Sequence, residues 1–116
     1  MAERIQTPFQ PGELLCYLGI TSRDESFFYI SYAVQLVSRQ PERLLLAAQW
    51  LFPELGRHYH AGALYVEQSI RAASGAVWRE HRQQLEALAG RPLPDPPGAA
   101  AFLAILLNGF HSDRAA

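Results

Sequence analysis

There is no lysine in this chain; all ten cationic side chains are arginines, set against eleven carboxylates for a formal net charge of -1. A dedicated nucleic-acid binder is usually basic, because neutralising phosphates releases counterions and drives affinity, so this balance points to weak polyanion binding. The all-arginine usage is more readily a matter of genome composition than of function. The single cysteine, Cys16, excludes an internal disulfide and a cysteine-built zinc site, and it fits a reducing cytoplasm. Long apolar runs are also missing. The longest, residues 99–107, has nine residues, less than half of the roughly 20 needed to cross a membrane. The opening MAERIQTPFQPGE carries two prolines and several charges around no apolar core, which excludes a secretory signal.

Catalytic signatures are equally scarce. No glycine loop is built to cradle phosphate, and neither Ser nor Cys stands in a nucleophile-elbow context. His58 and His60, two residues apart, point in different directions on a helix, and no Glu-x-x-His or His-x-x-x-His pair exists. The expectation is a non-enzymatic chain with no metal and no cofactor.

What the 116 residues do hold is a 49% hydrophobic composition in helical spacing, enough for one folded domain. Residues 1–12 read as a flexible arm and 111–116 as a tail. Gly12-Glu13 opens a short helix ending at Gly19, and the N-cap candidates Thr21 to Asp24 precede a second helix running to about Arg39. A third is expected from Glu42 to Phe52, with Trp50 packed inside. Gly90 to Gly98 contains four prolines and must be a loop. The last helix, Ala99 to about Asn108, is apolar nearly all round, so it is buried on several sides, either as a core helix or against a second copy of the chain. The sum is an all-α, compact bundle of about six helices.

Between them lies the segment LFPELGRHYHAGALYVEQSIRAASGAVW, residues 51–78. Pro53 suits the first turn of a helix and Glu54 complements its dipole. Gly56 is small where two helices would cross, and Gly62 can supply positive φ for a tight turn. Beyond the turn, Val66, Ile70, Ala73 and Val77 share one face, with Glu67, Gln68, Arg71 and Ser74 expected on the other. Short helix, turn, longer helix is the order of a helix-turn-helix, whose second helix can enter a major groove. Arg79 to Ala89 continues as polar helix with Leu85 and Leu88 facing in, and the long helix is expected to run on into it.

The wording of this segment resembles the C-terminal DNA-binding effector domain of the stage-zero sporulation protein A family. Leu51-Phe52-Pro53-Glu54, Val66-Glu67, Ile70-Arg71 and Val77-Trp78 fall in the family's register without a gap. Leu15, Gly19, Ala33 and Val37 upstream match it too, as do Leu88-Ala89-Gly90, Pro97 and Phe102-Leu103-Ala104 downstream, so the likeness spans about residues 13–110. It implies a transcriptional regulator of sporulation that binds double-stranded DNA, with dimer contacts through the last helix, 99–108. A chain of this length has no room for a phosphoacceptor receiver as well, so the expectation is an effector-like unit alone.

The departures lie in the reading helix. Family arginines before and after Glu67 are replaced by Tyr65 and Gln68, a histidine by Ala72, and a lysine pair by Arg57-His58. Arginine reads guanine bidentately, whereas glutamine pairs with adenine. The expected DNA-contacting set is therefore Tyr65, Glu67 and Gln68 near base edges, with Arg57, His58, Arg71 and Arg79 near phosphates. From Pro53 to Arg82 four arginines face three glutamates. The alternative is a protein-interaction or dimerisation module that kept the fold and lost DNA binding, with Glu67 and Arg71 simply an ion pair on a solvated helix face.

Overall fold

The apolar spacing resolves into six α-helices in a computed structural model that describes residues 11–110. They are α1 (Pro11–Tyr17), α2 (Glu25–Arg39), α3 (Phe52–Tyr59), α4 (Ala63–Glu80), α5 (Arg82–Ala89) and α6 (Ala99–Phe110). The described residues contain no strand, and the expected all-α bundle is what forms. The expected arm and tail lie outside the described residues, except for Pro11 and Gly12, which open α1.

One core joins all six helices. Leu14 and Leu15 of α1, Leu18 just after it, and Ile30, Ala33, Val34 and Val37 of α2 meet Leu55, Val66, Ile70, Val77 and Leu85, with Phe102, Leu103 and Leu106 of α6 completing it. α4 packs against α2, α3, α5 and α6. α6 buries Ala99, Phe102, Leu103, Ile105 and Leu106 within its own chain and exposes Ala101, Ala104 and Asn108.

The stretch expected as a third helix departs from α geometry. Pro41–Leu44 is a 3-10 turn and Ala47–Leu51 a π-turn, closed by the Phe52 N–H donating to the Ala47 carbonyl. Pro53 supplies the reason. It lacks an N–H and its ring would strike the carbonyl four residues back, so the wider π-turn accommodates the proline while the chain still enters α3. The irregular geometry also turns Trp50 outward, where it is 49% exposed instead of packed inside.

Two further differences concern α4. Ser74 lies on the buried face, one turn beyond Ile70, and is fully buried because its hydroxyl donates to the Pro97 carbonyl at 2.8 Å. The helix also stops at Glu80 and does not run on into α5. His81 adopts φ -135°, ψ 42°, so a sharp bend separates the two helices. His81 lies against Gly19, which has φ +87° and where a Cβ would fall 2.6 Å from His81 Nε2.

The α3–α4 turn is closed by His60, not Gly62. His60 takes the left-handed conformation (φ 56°, ψ 46°), the Ala61 N–H donates to the Gly56 carbonyl at 2.8 Å, and Gly62 stays extended as the N-cap of α4. This is a Schellman-type closure. It brings the Ala61 carbonyl onto Gly56, where a Cβ would sit 2.4 Å away. Gly56→Ala should therefore lower stability by about 1–3 kcal/mol, the usual range for overpacking. Gly75→Ala, on the outer side of α4 beside only the flexible end of Arg79, should raise it by roughly 0.5–1 kcal/mol through helix propensity. Urea denaturation of the two variants beside the parent checks both signs.

Candidate nucleic-acid interface

Burying Val66, Ile70, Ser74 and Val77 leaves α4 one outward face. Leu64, Tyr65, Gln68, Arg71, Ala72 and Arg79 are exposed there. α3 packs against α4 and is joined to it by the turn at His60, so helix, turn and helix stand in the order of a helix-turn-helix.

The expected contact residues divide by their partners. Arg71 Nη2 donates to Glu67 Oε2 at 2.9 Å, the i,i+4 pair anticipated from the spacing. Arg71 and Arg79 share one shallow groove with Ala72, Gly75 and the Pro96–Gly98 end of the loop. Arg79 has no carboxylate partner among the described residues. Arg57 projects from the last turn of α3 and pairs with Glu54 at 3.4 Å, while Glu54 also accepts from Arg43 at 3.2 Å. The structure thus brings Glu67, Arg71 and Arg79 onto one face, with Gln68 exposed alongside, and places Arg57 at the turn.

His58 and Tyr65 point towards α2. The imidazole of His58 stacks on Tyr32 with ring centres 4.2 Å apart and planes 22° from parallel. The Tyr65 hydroxyl donates to Glu25 Oε1, and Tyr29 donates to the other oxygen of the same carboxylate at 2.9 Å. Tyr59 closes this aromatic wall by donating to the Phe28 carbonyl at 3.1 Å, with its ring edge-on to Tyr29. Burial, the hydrogen bond to Glu25 and its nearby negative charge push the Tyr29 phenol up to about 12. Tyr65 is raised chiefly by its hydrogen bond to Glu25, and Tyr59 by burial.

Leu64 was not among the residues expected at the interface, although it is 64% exposed at the start of α4. The sequence carried a signal for it. Leu64 is apolar yet falls outside the Val66-Ile70-Val77 stripe, so no core position accounts for it. At the other end of α4, Trp78 Nε1 donates to the Leu93 carbonyl at 2.8 Å and Arg82 covers its ring at 4.7 Å. The Leu93 N–H in turn donates to Glu86 at 2.7 Å, which pins the proline-rich loop beside the interface.

Residues 12–109 match the family described as sporulation initiation factor Spo0A C terminal, and the chain belongs to that family. It is a family of helical DNA-binding domains that act in transcription regulation, not a family of enzymes. No curated protein matches the chain. Among the described residues no helix is long and apolar enough to cross a membrane.

The tyrosine wall carries a pH dependence. A phenol whose proton is held to about pH 12 in the folded chain, against 10.0 ordinarily, contributes stability that is complete below pH 10 and lost as pH rises towards 12. Thermal denaturation between pH 9 and 12 should show that decline, and Tyr29→Phe should flatten it by removing the largest contributor.

Proposed function

We propose that this member of the Spo0A C-terminal family is a sequence-specific, double-stranded-DNA-binding transcriptional regulator related to sporulation initiation factors. α4 lies in the major groove, over about residues 63–78. The observation that carries this reading is the outward face of α4, which the helix-turn-helix packing leaves clear and which holds Gln68, Arg71 and Arg79 on one side of the molecule. Gln68 and Glu67 meet base edges, Arg71 and Arg79 meet phosphates along the groove, and Arg57 meets a flanking phosphate from α3. Tyr65 contributes through its ring, since its hydroxyl is held by Glu25. His58, stacked on Tyr32 at the edge of α3, meets the backbone outside the groove.

With a net charge of -1, and with Arg43, Arg57, Arg71 and Arg82 each already paired to a carboxylate, binding is moderate and owes much to few cations. A second reading, pairing between two copies, is favoured by an adjoining surface. Leu45 is 84% exposed, Leu46 and Trp50 stand beside it in sequence, and Leu45, Ala48, Ala100 and Ala101 line one groove whose far wall is the Glu67–Arg71 pair, so the exposed edge of α6 (99–108) borders an apolar patch next to α4.

Fluorescence anisotropy against duplex DNA over a range of salt concentrations tests the reading. Affinity should fall steeply with salt, and Arg79→Ala should reduce the slope of log K against log salt by about 1, the share of a single phosphate-binding cation. An absence of binding at low salt would overturn DNA binding. Sedimentation of Leu45→Asp beside the parent tests pairing, with a shift towards monomer expected.

A further inference from the structure

The N-terminal half of α4 is where a helix-turn-helix reaches base edges, and contacts inside this chain commit most of its polar side chains. Tyr65 donates to Glu25, and Glu67 accepts from Arg71. Two outward side chains remain uncommitted, Leu64 and Gln68; both are exposed, and the Gln68 amide has no hydrogen-bond partner among the described residues. They are one helical turn apart, which makes them neighbours on the helix surface. A lone exposed leucine is ordinary. This one stands one turn before a free glutamine, at the N-terminal end of α4.

The chemistry of the pair is narrow. A glutamine amide matches the N6 donor and N7 acceptor of adenine, an apolar side chain matches the 5-methyl group of thymine, and guanine calls for an arginine or lysine fork. The only arginine within one turn of Gln68 on α4 is Arg71, which pairs with Glu67 and which the DNA-binding reading commits to a phosphate. Resting on the reading that α4 occupies a major groove, we propose that Leu64 and Gln68 together read A·T base pairs, with Gln68 on an adenine and Leu64 on a thymine methyl. The preferred site then carries thymine and adenine, not guanine, opposite the start of α4.

The test begins with selection of the preferred duplex from a random pool by the full chain, followed by anisotropy titrations of that duplex and two single-atom-group variants. Replacing each thymine in turn by deoxyuridine removes only the methyl group. At one position it should weaken binding about fourfold, the worth of one buried methyl, and Leu64→Ala should bind the two duplexes alike. Replacing the adjacent adenine by 7-deazaadenine should weaken the parent by about tenfold and leave Gln68→Ala unaffected. Circular dichroism of both variants checks that they fold. If the selected duplex binds with an Arg79-dependent salt response but is indifferent to both base changes, or carries guanine opposite the start of α4, the A·T assignment is overturned while DNA binding stands. If no duplex binds even at low salt, the DNA reading falls and takes the assignment with it.

Discussion

Everything that α4 can present to the outside is decided by what it must bury. Val66, Ile70, Ser74 and Val77 recur at one-turn spacing and are packed against α2, α3, α5 and α6. A helix turns by about 100° per residue, so a shift of one position would carry the whole buried stripe into solvent. The orientation of the outward face is therefore as fixed as the core. Ser74 is the one polar member of the stripe, and its burial is tolerable only because Pro97 offers a carbonyl at 2.8 Å. That bond, with those of Trp78 and Glu86 to Leu93, makes the proline-rich loop part of the same packing unit.

The second constraint is electrostatic economy. Arg43 and Arg57 share Glu54, Arg71 has Glu67, and Arg82 has Glu86. Exposed pairs of this kind add little stability, about 0–1 kcal/mol each. Their larger effect is to neutralise cationic charge locally, which leaves Arg79 as the positive group without a carboxylate partner on the α4 face among the described residues. Glu25 has the corresponding role for the phenols, accepting from Tyr29 and Tyr65 and tying the start of α4 to the start of α2.

Much of this was legible in the residues. Helical spacing located α2, α4 and α6, the four prolines located the loop, and the Pro53-Glu54 signature placed the start of α3 within one residue. The Glu67–Arg71 pair followed from i,i+4 spacing alone. The failures share a cause, which is that tertiary neighbours decided the outcome. Polarity argues for an outward Ser74, whereas its angular position continues the buried stripe and a distant carbonyl satisfies it. Propensity favours Gly62 for the left-handed residue, while the Gly56–Ala61 closure demands it at His60. The partners of Tyr65 and His58 lie on α2, some 40 and 26 residues away in sequence, beyond any local pattern.

The irregular turn ahead of α3 leaves the molecule with two tryptophans of opposite character. Trp50 stands half in water next to Leu45 and Leu46, while Trp78 is partly buried, hydrogen-bonded to Leu93 and covered by a guanidinium. The two indoles therefore belong to different optical populations, one with a red-shifted, readily quenched emission and one with a shielded emission. The chain so carries its own pair of native reporters. Trp50 is sensitive to anything that covers the apolar patch, and Trp78 to whether the proline loop remains docked on the end of α4.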